Sequence, residues 1–439
     1  MDMENYVATV DRACGSDLKA RKSSVLRALI PVSLALSFVL ALGASSSDAY
    51  GQWKQWGGPN RNFEVDTSGL AAEWPKDGPK RLWHRPLGDG YSTVTVADGK
   101  LYTMYRKDGK EYTVCLDAKT GNTLWEKGER VEVTKLMEAF GEGPHSTPLI
   151  SGDRLFTIGV NCEFKCFEAK TGKILWQHDL AKEFGMEIPG RGYSASPLEY
   201  KGKIILPVGG KEGQSMMAFD KSTGSLVWKN QSFQPTHSSP IMIEFQGKPH
   251  LVVFMGAELV GLDPDDGSLL WRHEHPTQYG ANLATPVWDG KDILFFSAAY
   301  NSGSRCIRLV MKDGKVATEE LWFSKKMRIH HGNIILDGGY AYGSSGDFGP
   351  AFLMCADLLT GKLAWRERGF AKSTFVYGGG KLIILDQDGH LGLAEISPEG
   401  IKVRSRCKIA ETYAWAAPTL VGTILYVRDR EHIMAFDLG

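Results

Sequence analysis

The stretch Cys115-Leu-Asp-Ala-Lys-Thr-Gly-Asn-Thr-Leu-Trp125 decides the fold, because the chain repeats it. It returns as Cys166-Phe-Glu-Ala-Lys-Thr-Gly-Lys-Ile-Leu-Trp176 and as Ala218-Phe-Asp-Lys-Ser-Thr-Gly-Ser-Leu-Val-Trp228. Two further copies are Gly261-Leu-Asp-Pro-Asp-Asp-Gly-Ser-Leu-Leu-Trp271 and Cys355-Ala-Asp-Leu-Leu-Thr-Gly-Lys-Leu-Ala-Trp365. In all five, Trp stands four residues after the Gly and a small residue six before it. Repetition at constant spacing marks an array of like units.

Each copy reads as the end of one strand and the start of the next. The Asp and Thr oxygens hold nearby amides, and Gly supplies the positive φ of a tight reversal. A short four-stranded unit cannot bury its own faces and must be wedged between neighbours, which is the logic of a β-propeller. The pattern predicts blades at 88–129, 143–180, 191–230, 235–274, 280–322, 327–368 and 370–407. Blade five carries a degenerate hairpin at Met311-Lys-Asp-Gly314, and blade seven turns at Ser397-Pro-Glu-Gly400. An eighth blade begins at Glu411 but reaches Ala435-Phe-Asp-Leu-Gly439 without its Trp strand. Arg81-Leu-Trp83-His-Arg-Pro-Leu87 has the missing pattern. The expectation is therefore an all-β, eight-bladed β-propeller over 80–439, its last blade closed by the N-terminal strand. Eight blades give about 45 residues each, the usual length.

The chain has 439 residues, with 51 Lys plus Arg balanced by 51 Asp plus Glu. Neutrality without a basic block argues against nucleic acid as a partner. Arg21, Lys22 and Arg27 precede the apolar run 28–42, and Ser47-Asp-Ala49 offers a small-x-small cleavage site. This is the pattern of a secretory signal peptide over 1–49, which predicts a periplasmic or extracellular mature chain without a transmembrane span. Residues 50–79 read as an ordered strap without regular structure, pinned by Trp53, Trp56 and Trp74. We expect a monomer. Cys115, Cys166 and Cys355 sit in the small-residue slot and read as core residues. Cys162 and Cys166 flank a short turn, so a local disulfide is the other reading.

Blades open on a signature of two small residues and Pro, at Pro148, Pro197, Pro240, Pro286 and Pro418. Three residues before that Pro position stand Tyr91, His145, Ser194, His237, Leu283, His330, Lys372 and Trp415. These should ring the mouth of the central channel, with Arg191, Tyr193, Asn282 and His331 close by. A funnel rimmed with aromatic, His and Arg side chains is a candidate small-molecule site. His145, His237 and His330 recur in alternate blades, but opposed blades stand too far apart for one metal, so none is expected. His330 and His331 are adjacent and should point to opposite faces of a strand. No Ser/His/Asp arrangement declares itself. Asp347 reads as a loop residue, either a base or a turn former. The glycine runs at 209–210 and 378–380 lack the helix that a phosphate loop requires.

The Ala/Cys-x-Asp-x-x-Thr-Gly-x-x-x-Trp copies resemble the tryptophan-docking repeats of pyrroloquinoline-quinone (PQQ) propellers. In that family the Trp of one blade stacks on the backbone of the next. The resemblance assigns this role to Trp125, Trp176, Trp228, Trp271, Trp322 and Trp365, and to Trp83 across the closure. The segment 55–62 (Gln-Trp-Gly-Gly-Pro-Asn-Arg-Asn) and the His330-His-Gly-Asn stretch resemble a secreted, BamB-like subgroup. That resemblance implies a binding or scaffold protein acting through its funnel face on a protein, small-molecule or glycan partner. Resemblance to quinoprotein alcohol dehydrogenases implies PQQ, a calcium site of Glu, Asn and Asp, an adjacent Cys pair and an Asp base. The chain has no adjacent Cys pair, and its positions match neither the calcium ligands nor the base. The first expectation is therefore a protein without cofactor or catalytic residues, and the alternative is a PQQ- and calcium-dependent dehydrogenase.

Overall fold

The computed structural model describes residues 52–134, 137–138, 141–209, 212–347 and 349–439. The predicted signal peptide lies outside the described residues. The described chain forms eight antiparallel four-stranded sheets arranged as a propeller, one of them extended by a short fifth strand. Blade one consists of Thr95–Ala97, Lys100–Lys107, Lys110–Asp117 and Thr123–Arg130, running from channel to rim. Blades two to seven follow in the same order, opening on Leu149–Ser151, Leu198–Tyr200, Ile241–Phe245, Val287–Trp288, Ile329–Asp337 and Ser373–Gly378. Blade eight has Thr419–Val421, Ile424–Arg428 and His432–Asp437, and its rim strand is Lys80–Pro86. Trp83 pairs with Ala435, so the ring is closed by the strand the sequence pointed to.

The reversal after each third strand has the expected chemistry. Asp117 Oδ1 accepts from the Thr120 amide and hydroxyl, both at 2.8 Å, and the Gly121 amide returns to the Asp117 carbonyl. Asp220 and Asp357 repeat the arrangement. A glycine is needed here for two reasons. Its φ is positive, +71° at Gly172, and a Cβ there would stand 2.5 Å from the Trp125 ring of the preceding blade. The Trp125 Nε1 then donates to the Ala169 carbonyl of that turn at 2.9 Å. Trp83, Trp176, Trp228, Trp322 and Trp365 make the same bond to Ala118, Lys221, Pro264, Leu358 and Ser397.

Trp271 departs from the assigned role. Its Nε1 donates to His250 Nδ1 of its own blade, and its ring lies over Gly261. The cause is in blade five, whose Gly303–Lys312 and Lys315–Ser324 strands are joined by a two-residue turn at Asp313 and Gly314, both with positive φ. That tighter turn replaces the Asp-x-x-Thr-Gly reversal on which most of the other indoles dock, and the Gly261 slot gives the Trp271 ring room to fold back. Blade seven has no Trp on its rim strand. Ser405 stands there instead, and its Oγ accepts from the Trp74 amide of the strap at 2.6 Å.

The slot residue opposite each indole is small because the ring crosses it: Cys115 faces Trp125, Cys166 faces Trp176 and Cys306 faces Trp322. Cys162 and Cys166 are both free and buried, so the structure takes the core reading over the disulfide.

The strap is more regular than expected. Glu64–Val65 adds a fifth, parallel strand to the inner edge of blade seven, and Trp53 bridges to Val96 of blade one. Arg61 is buried beneath the channel; its Nε donates to the Pro240 carbonyl at 2.8 Å and its Nη1 to that of Pro197 at 3.0 Å. Burial lowers its pKa to about 9, which leaves the guanidinium charged at neutral pH. One cation thus ties blades three and four through carbonyls at the heads of their inner strands.

Gly152 and Gly172 separate the backbone and docking contributions. Both have positive φ, but nothing lies within 4 Å of a Cβ on Gly152. Each Ala substitution should cost about 1–2 kcal/mol for the left-handed backbone. Gly172→Ala should cost roughly 1–3 kcal/mol more, because the ring must move. Urea midpoints of the two variants measure the difference; equal midpoints would mean that the indole contact is energetically idle.

Candidate functional site

The inner strands can crowd round the axis because their first residues are small and hydrogen-bonded across blades. Ser196 Oγ accepts from the Thr147 amide at 3.0 Å, and Ser239 Oγ accepts from the Ser196 amide at 2.9 Å. On the far side of blade five, Ser297 Oγ accepts from the Ile329 amide at 2.9 Å. Side chains three residues upstream therefore converge on one end of the channel. Tyr91, His145, Ser194, His237, Leu283, His330, Lys372 and Trp415, one from each blade, line a single cavity of about 390 Å³. Arg191, Ser239, Tyr300, His331 and Asp347 complete its wall, and Trp56 of the strap closes it from the other side. The Trp56 Nε1 donates to Thr285 Oγ1 at 2.8 Å, which fixes the ring.

Two of the expected rim residues lie behind this wall. The Tyr193 ring is buried and its hydroxyl donates to the Pro207 carbonyl at 2.8 Å. Asn282 is fully buried and its Nδ2 donates to the Met255 carbonyl. Both hold the loops that carry their neighbours Ser194 and Leu283. Trp56 and Tyr300 were not legible as lining. Trp56 comes from outside the repeat, and Tyr300 from a turn with positive φ after the second strand of blade five.

His330 and His331 both reach the cavity, contrary to alternation along a strand. The pairing register slips between Ile329 and Ile334, and this bulge brings both rings to the cavity side. Their Nδ1 atoms are 3.1 Å apart in a hydrogen bond, and His330 Nε2 bonds the Tyr300 hydroxyl at 2.7 Å. His237 Nδ1 bonds Ser194 Oγ at 2.7 Å, and His145 Nε2 donates to the Arg191 carbonyl at 2.9 Å. Burial, aided by neighbouring positive groups, lowers the pKa of His237 and of His330 to about 4. His331 is pushed well below the ordinary imidazole range by burial, His330 and Lys372, and His145 is lowered by burial. The four imidazoles are therefore neutral at pH 7. Burial also lowers the Lys372 pKa and raises that of Tyr91 to about 12.

Ser194 and His237 form a pair without a third member: no carboxylate is bonded to His237 among the described residues. An imidazole of such low basicity is poorly matched to take a proton from Ser194 at neutral pH. Asp347 is the single carboxylate lining the cavity among the described residues, and Arg328 holds it at 3.0 Å. Among the described residues no three His, Cys, Asp or Glu side chains converge as a metal site. The rings of Trp415 and Trp56 could face a flat cofactor, but this donor set does not fit the calcium that accompanies PQQ. A hard cation needs several oxygen ligands, and here one paired carboxylate stands among neutral imidazoles.

The sequence profile described as "Outer membrane protein assembly factor BamB" matches residues 109–367, more than half of the chain. Among solved structures, BamB from Moraxella catarrhalis superposes with a TM-score of 0.60 at 15% identity, covering 82% of this chain and 99% of that one. Quinohemoprotein alcohol dehydrogenase from Comamonas testosteroni superposes with a TM-score of 0.62 at 13% identity, covering 89% and 81%. These likenesses are of fold. Quinoprotein alcohol dehydrogenase PedH of Pseudomonas putida is 24% identical over 221 residues, 46% of this chain and 36% of that protein. Polyvinylalcohol dehydrogenase from a Pseudomonas species is 24% identical over 213 residues, 45% of this chain and 31% of that protein. The matches thus span about a third of the curated relatives' length.

The wall is braced by a half-buried carboxyl whose titration should register in stability. Glu111 Oε2 accepts from the Val160 amide at 3.0 Å, and the Val160 carbonyl accepts from the Tyr193 amide. Burial, with Glu163 nearby, raises the Glu111 pKa to about 7. A carboxyl raised on folding loses stability as pH rises from its unfolded value toward pH 7. Glu111→Gln should therefore raise the urea midpoint at pH 8 and leave it nearly unchanged at pH 4.5. The cavity imidazoles act in the opposite sense, since their lowered pKa values remove stability as pH falls from about 6.5 toward 4. In NMR titrations the His237 and His330 rings should stay neutral down to about pH 5; midpoints near 6.5 would contradict the burial argument.

Proposed function

This chain belongs to the BamB-like PQQ-repeat propeller family, and we propose that it is a binding or scaffold protein outside the cytoplasm, without catalysis of its own. The targeting pattern of 1–49 supports the location. The observation that carries the binding reading is the floored cavity to which all eight blades and the strap each contribute a side chain. Its polar groups recognise rather than react, because the imidazoles are neutral and mutually bonded and Asp347 is already paired. The funnel face is where a protein, small-molecule or glycan partner is held.

A second reading is a PQQ- and calcium-dependent dehydrogenase of the quinoprotein type. It is favoured by the names of the curated relatives and by the flat Trp56 and Trp415 rings in the cavity. The unmatched calcium set counts against it. A dye-linked dehydrogenase assay with added PQQ and calcium, over a panel of primary and secondary alcohols, separates the two. We predict no turnover above the protein-free control. Sustained turnover that Trp415→Ala removes would establish the second reading instead.

A further inference from the structure

The seam between blades five and six carries a cluster of charge that the funnel does not use. Its source is two short runs: Ser324-Lys-Lys-Met-Arg328, which joins the blades, and Arg366-Glu-Arg368, which ends the rim strand of blade six. In the second run, alternation puts Arg366 and Arg368 on one face and Glu367 on the other. Both guanidiniums lie on the ring of Phe352 in the neighbouring strand. The Arg366 Cζ is 3.4 Å and the Arg368 Cζ 5.1 Å from its centroid. One ring thus holds two like charges close together.

Beside them opens a cleft of about 520 Å³, lined by Lys325, Lys326, Arg328 and Arg366. Its single carboxylate among the described residues is Asp347, and Arg328 holds that at 3.0 Å. Because Asp347 also lines the funnel, this ion pair is the partition between the two spaces. Glu320, on the rim strand of blade five, is held by Arg305. Lys325, Lys326, Arg366 and Arg368 are exposed, and none of them pairs with a carboxylate among the described residues. Cations gathered without counter-charges repel one another, and a bound anion removes that repulsion.

The density of the charge points to the kind of anion. A carboxylate brings one charge and two acceptor oxygens, so an acidic peptide would have to crowd several side chains into the cleft. A phosphomonoester brings about two charges and three acceptor oxygens on one centre. Its oxygens match the paired N–H groups of a guanidinium, and a lysine meets it as a point charge. We propose that the seam of blades five and six is a binding site for phosphoryl groups, carried by a soluble polyphosphate-type anion or by a lipid headgroup. The phosphoryl oxygens lie between Arg366 and the two lysines, while Arg328 stays on Asp347. This site is separate from the funnel and holds whatever the funnel binds.

Isothermal titration of the full chain with tripolyphosphate and with tetraglutamate tests this, alongside sedimentation with phosphatidylcholine vesicles that carry phosphatidate. Tripolyphosphate should bind at least about tenfold more tightly than tetraglutamate, a factor worth about 1.4 kcal/mol. Its affinity should fall as salt rises. The double variant Lys326→Gln, Arg366→Gln should weaken it by about tenfold, the worth of two exposed ion pairs. Lys229→Gln, which removes an exposed charge on blade three, and Trp415→Ala in the funnel should leave it unchanged. Thermal melts confirm that each variant is folded. Tripolyphosphate binding alone makes the source soluble, and vesicle binding that the double variant removes makes it a headgroup; either supports the site. Equal affinity for tetraglutamate would overturn the phosphoryl assignment in favour of an acidic peptide. A loss in Lys229→Gln as large as in the double variant would overturn the site, since the attraction would belong to the whole surface. A loss in Trp415→Ala would place the anion in the funnel and overturn it as well. Binding of neither tripolyphosphate nor vesicles would overturn the proposal and leave the funnel reading untouched.

Discussion

An indole pressed on the backbone of the next sheet is the contact on which the rest of this structure depends. Each docking fills the wedge between blades and satisfies the Nε1 donor on a turn carbonyl. At every docked turn but that of Trp365, the indole also leaves no room for a side chain on the turn glycine. Because every sheet leans on its neighbour, no blade buries its own faces, and the ring is stable only when closed. The pairing of Lys80–Pro86 with His432–Asp437 is that closure, and Trp83 carries the docking pattern across it.

Where the pattern fails, a local substitute takes over. At the junction of blades four and five the indole of Trp271 folds back over Gly261, still buried against Leu294, Phe296 and Ile307 of the next blade. Beside blade seven, where the rim strand has no Trp, Trp74 of the strap is buried in the same apolar cluster and its amide is held by Ser405. The same strap carries Arg61 and Trp56 under the axis, which turns a channel into a cup. The closed ring therefore does more than hold the sheets: it brings eight strand openings to one place, and the strap gives that place a floor.

Blade number, order and closure were legible in the sequence because one short motif encodes both the turn and the docking. The rim was legible for a related reason: the small-small-Pro signature fixes where each inner strand begins, so counting back three residues finds the mouth. Counting could not reveal Trp56, which reaches the cavity from outside the repeat. It also misplaced Tyr193 and Asn282, whose polar ends turn inward to carbonyls. His330 and His331 share a face only because of a bulge, a backbone irregularity with no signature in residue type. The shift of Trp271 was visible in retrospect, since the degenerate turn of blade five lacks the Thr-Gly step.

A cup with a floor made by the strap is the claim from which the cavity, its burial and its neutral imidazoles all follow. Amide hydrogen exchange at the strap tests it most directly. The Trp53, Phe63 and Val96 amides are hydrogen-bonded at the base of the channel, and the Tyr377 amide donates to Phe63. If the strap is part of the fold, these amides exchange as slowly as those in the central strands of blades one and seven. Rapid exchange of Trp53 and Phe63, with the blades still protected, would mean that the channel is open at its base, and would contradict this account.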